Sequence, residues 1–174
     1  MFDKFFSFRL ADKKSNAAGF TVHLFVFRTP RKRAIIFEAH LHERCPLAVV
    51  KFYDKAHRLS DNPFSLMSGS HEAAPTIRTA VEIMLYLVRE NPLLSFAFIG
   101  AADPDGDTKE TRRFRIYRGM LYRLFSEQYF QHLQMPGNSL YILLNRVYID
   151  TNPGGQEVIF ATLQDIYPEY TDNR

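Results

Sequence analysis

Five arginines, Arg112, Arg113, Arg115, Arg118 and Arg123, fall within twelve residues of this chain. At about 100° of rotation per helical residue, Arg112, Arg115, Arg118 and Arg123 share one face, beside an apolar stripe. Glu110 and Glu127 bracket the row, and no carboxylate lies inside it. Gly119 falls on the same face, where the missing side chain lets a phosphate or a backbone approach closely. A row of guanidinium forks suits phosphates or carboxylates through paired hydrogen bonds. The competing expectation is a solvated helix face whose arginines pair with acidic loops of the same chain. A second basic group, Arg28, Arg31, Lys32 and Arg33, sits where a hairpin turn is expected.

Other residues of catalytic type are weaker candidates. Glu38-Ala-His40-Leu-His42 sets three possible metal ligands on one face of a strand, because strand side chains alternate. Asp103, Asp105 and Asp107 suggest a calcium loop, but the register is wrong. Counting from Asp103, the sixth position is Thr108 where glycine is needed, and the twelfth is Phe114 where glutamate is needed. A turn closing on a helix cap fits that segment better. Cys45, beside Pro46, reads as packing, because no partner base is fixed near it. Gly154-Gly155 could offer backbone N–H groups to an anion, but reads more simply as a turn. No phosphate-binding glycine loop and no Gly-x-Ser-x-Gly elbow occurs.

The elements that must carry these residues follow from periodicity. Phe5–Leu10 reads as a short aromatic strand. In Phe20–Phe27 the residues Phe20, Val22, Leu24 and Val26 alternate with Thr21, His23, Phe25 and Phe27. Ala34–His42 and Leu47–Tyr53 continue the pattern across short turns, which predicts a four-stranded antiparallel meander. Pro75 suits a first helical turn, and Ile77, Ala80, Val81, Met84, Leu85 and Val88 recur with helical spacing. Asn91-Pro92 ends that helix. Leu93–Gly100 is almost continuously apolar, as befits a strand covered on both faces. Asp107 and Glu110 have capping-box spacing for a second helix, whose stripe is Phe114, Tyr117, Leu121, Leu124 and Phe125. Strands at Tyr129–Leu133 and Leu140–Asn145 flank Pro136-Gly137-Asn138. A last helix from Asn152-Pro153 turns Ile159, Leu163 and Ile166 inward.

The expected fold is α+β, a mostly antiparallel sheet of about six or seven strands with three helices, in a single domain spanning residues 1–174. One cysteine excludes an internal disulfide and a multi-cysteine zinc site. The N-terminus lacks a cationic leader with an apolar stretch, and no window nears the roughly 18 apolar residues of a membrane span. A bacterial cytoplasmic protein is expected. The net charge of +3 is too small to signal nucleic acid without local clustering.

From Leu47 to Asn145 the order strand, helix, strand, helix, strand, strand resembles the second half of the GNAT acyltransferase fold. That likeness implies acetyl-CoA pyrophosphate at the loop before the first helix, and a tyrosine of the next helix, Tyr117 or Tyr122, as general acid. Where that family carries Gln/Arg-x-x-Gly-x-Gly/Ala, this chain reads Ser68-Gly69-Ser70-His71-Glu72-Ala73-Ala74-Pro75. The meander, helix, apolar strand and Arg113-Phe114-Arg115-Ile116-Tyr117 also resemble small domains of unknown function of the Bacteroidetes type. That second likeness implies a fold and no activity.

The leading expectation is a non-catalytic binding module that engages an acidic protein or nucleic acid through Arg112, Arg115, Arg118 and Arg123, with no cofactor and no bound metal. The alternatives are an N-acyltransferase of divergent GNAT type using acetyl-CoA, and a structural or oligomerisation subunit.

Overall fold

Alternating side chains carry the first third of the chain into four strands paired in sequence order. They are β1 (Phe8–Ser15), β2 (Phe20–Arg28), β3 (Ala34–His42) and β4 (Leu47–Asp54), each antiparallel to the next of the four. The structure is a computed structural model, and it describes residues 4–57, 72–99 and 112–171. A long helix, α1 (Ala73–Glu90), then leads to β5 (Ser95–Ile99), which lies parallel to β4. After α2 (Arg112–Leu124) come β6 (Phe130–Met135) and β7 (Leu140–Asn145). β7 inserts between β5 and β6, so among the described residues the seven-stranded sheet runs β1-β2-β3-β4-β5-β7-β6 with β4·β5 its single parallel pair. The expected α+β class holds.

β1 starts later than the aromatic run Phe5–Leu10 implies. Phe6 stacks on Phe27 at 6.1 Å, and its backbone N–H donates to Thr79 Oγ1 at 2.9 Å, which docks the aromatic start against α1. The polar continuation to Ser15 joins the ladder because an edge strand has no need of two buried faces. Its pairing shifts register between Leu10 and Asp12, a bulge that disrupts the outer edge.

Two hydrophobic layers sandwich the sheet. On one face Phe25, Phe27, Ile35, Phe37, Val50, Phe52, Phe96 and Phe98 meet α1 and α2 through Ile77, Met84, Leu87, Phe114 and Leu121. On the other, Leu47, Val49, Ala97, Ile142 and Leu144 meet Ile159, Leu163 and Tyr167. The last three come from α4 (Gly155–Ile166) and the residue after it. β5 and β7 are therefore apolar on both faces, as the unbroken run at Leu93–Gly100 implies.

The helices differ in detail from expectation. Pro75 does fall in the first turn of α1, as its third residue. It is tolerated there because the first four N–H groups of a helix lack intrahelical partners. α1 ends at Asn91, whose N–H reaches Leu87 O. Two short helices, α3 (Arg146–Thr151) and α5 (Pro168–Thr171), flank α4 where a single last helix was expected. α4 itself begins at Gly155, after Gly154 adopts φ 82°.

Asn145 ties the lower end of the sheet together. It is 4% exposed. Its N–H donates to Ser95 Oγ at 2.9 Å, its Nδ2 donates to Pro92 O at 2.8 Å, and its Oδ1 accepts from Tyr148 N at 3.2 Å. One side chain thus caps α3 and fixes the entry to β5.

Candidate functional site

α2 contains five arginines and no acidic residue over its 13 positions. The same sequence supplies its anchor. Phe114, Tyr117, Met120 and Leu121 are buried, and with Phe125 beyond the helix end they clamp it to the sheet. Met120 joins this stripe unexpectedly, while Leu124 is half-buried. The apolar contacts fix the rotation of the helix, and that rotation decides which arginines face water. Arg115, Gly119, Tyr122 and Arg123 are exposed, and Arg118 is half-buried. Arg112 opens the helix, and its side chain lies outside the described residues. Arg115, Arg118 and Arg123 each interact with other residues of the chain. A ligand at this face therefore competes with contacts already made.

Beside the arginines stands an aromatic stack. Tyr122 is 44% exposed, and its ring lies over that of His132 at 4.4 Å between centroids and 21° between planes. The His132 ring is held at both nitrogens, Nδ1 with Tyr141 Oη at 2.6 Å and Nε2 with Phe125 O at 2.9 Å. Since the carbonyl can only accept, Nε2 donates to it, while the Tyr141 hydroxyl partners Nδ1. Burial pushes the Tyr141 hydroxyl well above the usual phenol range, while Arg118 pulls the other way. Arg118 therefore lies within electrostatic reach of the stack. His132 carries no sequence motif. The available signal was alternation in β6, which sets Phe130, His132 and Gln134 on the face that α2 covers.

The second basic group behaves differently. The Arg33 Nε donates to the buried Asp54 carboxylate at 2.7 Å, and the Arg31 N–H donates to Glu72 Oε1 at 3.1 Å. Lys32 holds φ at 61° within the turn. These contacts pin the β2–β3 hairpin to the end of β4 and the start of α1. Beside that hairpin an open groove of about 600 Å³ is lined by Phe5, Phe6, Phe8 and Phe27 together with Arg9 and Arg28.

Glu38, His40 and His42 do share a sheet face, but both Glu38 oxygens are already engaged. Glu38 hydrogen-bonds His40 Nε2 at 3.0 Å and accepts from Tyr53 Oη at 2.7 Å, and the histidine contact is the main reason its pKa is lowered. His42 packs between Phe20 and Tyr167, at 5.3 and 6.3 Å between centroids. Among the described residues no group of three or more His, Cys, Asp or Glu is placed to hold a metal ion. Cys45 is buried, donates to Thr162 Oγ1 at 3.6 Å, and has its thiol pKa raised by burial. Those are the properties of a packing residue.

Tyr117, the other tyrosine expected at a site, is 8% exposed, with its ring 5.5 Å from Phe52 and 6.1 Å from Phe98. β4 and β5 pair from Leu47↔Ser95 to Val50↔Phe98, and β4 then continues to Asp54 paired with β3 only. Tyr117 thus packs against both strands where their pairing ends. The loop preceding α1 through His71, the Asp103–Asp107 segment and the Asp107/Glu110 cap lie outside the described residues. Among the described residues no helix is long and apolar enough to cross a membrane. No family model, curated protein or solved structure matches the chain.

Proposed function

We propose that this chain is a non-catalytic binding module of the bacterial cytoplasm that engages an acidic partner through the outward face of α2. The observation that carries this reading is the composition of that helix seen with its orientation. Five arginines and no carboxylate occupy 13 residues, and the buried Phe114, Tyr117, Met120 and Leu121 turn Arg115 and Arg123 to solvent. Guanidinium groups spaced along one helix meet a row of phosphates or carboxylates, and such contacts weaken as salt rises. The test is charge reversal of Arg112, Arg115 and Arg118 together. It should abolish co-purification of the partner and leave the thermal melt nearly unchanged, because the contacts that surface arginines make are each worth about 1 kcal/mol or less. An unaltered pull-down rejects the reading.

A second reading, an N-acyltransferase of divergent GNAT type, is favoured by the β4-α1-β5-α2-β6-β7 order and by the parallel β4·β5 pair that parts beside Tyr117. In this reading Tyr117 holds the proton delivered to the departing thiolate of acetyl-CoA. Thermal-shift titration separates the two readings. A shift at micromolar acetyl-CoA supports acyl transfer, and none at millimolar ligand removes it.

A further inference from the structure

Resting on the binding-module reading, we infer that the acidic partner is single-stranded nucleic acid, with Tyr122 as the platform on which one base stacks. An acidic protein needs only the arginines. It gives no reason for an aromatic ring to stand exposed among them, already braced from behind. Tyr122 stands in that position, seven residues after Arg115 and four after Arg118, so the three lie along one helix face. Its ring is held flat over His132 at 4.4 Å. His132 is itself locked between Tyr141 Oη and Phe125 O. A ring fixed from behind presents its outer face with little conformational freedom left to lose, which is the requirement for a stacking platform.

The surroundings fit the rest of a nucleotide. Arg115 and Arg118 flank the ring along the helix, at axial offsets of roughly 10 and 6 Å given a rise of about 1.5 Å per residue. Gly119 lies between them and Tyr122 on the exposed side, and a Cβ built there would meet nothing within 4 Å. The helix surface is therefore low where a sugar and phosphate must pass. Gln134 sits on the same sheet face as His132, two residues further along the edge strand β6, with an amide suited to a base edge. Duplex does not fit the platform, since its bases are already stacked on one another. The exposed Glu127, just past the end of α2, marks the limit of the basic surface.

The experiment is fluorescence anisotropy with three labelled probes: a single-stranded oligo-dT, a duplex of equal charge, and poly-glutamate. The proteins are wild type, Tyr122→Ala, Tyr122→Phe, and the double variant Arg115→Glu/Arg118→Glu. The expected result is preference for the single strand over the duplex, with affinity falling as salt rises. Tyr122→Ala should weaken the single strand about 10-fold and leave the other two probes alone, in line with the usual worth of one stacked base. Tyr122→Phe should bind like wild type, because the ring is kept. The double variant should bind every probe more weakly and show a shallower salt slope. Equal binding of duplex and single strand, or indifference to Tyr122→Ala while the arginine variant still fails, overturns the stacking inference and leaves the binding-module reading standing. Preference for poly-glutamate overturns it in favour of an acidic protein. Indifference of all three probes to the arginine variant overturns both.

Discussion

His42 offers a quantitative check on the packing of the sheet face opposite α1 and α2. Its ring is 8% exposed, neither nitrogen has a hydrogen-bond partner, and it lies between Phe20 and Tyr167. Burial, with the neighbouring His40 opposing a second positive charge, pushes its pKa from 6.5 down to about 4. An unfolded chain takes up this proton near 6.5 and the folded chain only near 4. Between those values the unfolded state holds more protons, so the contribution to stability is complete above 6.5 and is lost as pH falls toward 4. At about pH 5 the loss amounts to roughly 2 kcal/mol, from about 1.4 kcal/mol per unit of pKa difference. The measurement is urea unfolding of wild type and His42→Phe at neutral pH and near pH 5. At neutral pH the variant should match or slightly exceed wild type, because the ring contacts remain and two unpartnered buried nitrogens are gone. Near pH 5 the variant should lead by about 2 kcal/mol more. Glu38 and His23, whose pKa values are also lowered, titrate in both proteins and cancel in the difference. Parallel pH slopes for the two proteins would show that His42 protonates as readily folded as unfolded, and the reasoning would fail.

Two further outcomes follow from the backbone and its caps. Asn145→Ala removes the cap on α3 and the donor to Pro92 O, and should cost about 2 kcal/mol in urea unfolding at an unchanged m-value, the sum of one cap and one buried hydrogen bond. A loss under about half of that would show that the junction between β5 and β7 is held by packing alone. Gly154→Ala should lower stability by about 1 kcal/mol although a Cβ there meets nothing within 4 Å, because the cost lies in φ 82° and not in space. Gly119→Ala on the exposed face of α2 is the contrasting control, expected to stabilise by about 0.5 to 1 kcal/mol through helix propensity. Both are read as shifts of the urea midpoint.

Local pattern sufficed where one face of an element is buried. The alternation in Ala34–His42 matches β3 residue for residue, since a one-residue slip would turn its buried side chains outward. The stripe Phe114, Tyr117, Leu121 likewise set the rotation of α2, and with it the exposure of Arg115 and Arg123. Pattern failed at edges. The aromatic run Phe5–Leu10 reads as strand from its start, whereas β1 begins at Phe8 and Phe6 docks on α1 through a contact 73 residues away.

The amino-acid sequence by itself determined the element types, the class of fold and the basic character of α2, because periodicity and composition are properties of neighbours along the chain. Only the tertiary structure decided that β7 enters between β5 and β6, that Arg33 is spent on Asp54, that Glu38 is held by His40 and Tyr53, and that Tyr122 rests on His132. Each of these joins residues from different elements, and nothing in a local pattern records which distant side chain will arrive opposite another once the two apolar layers close.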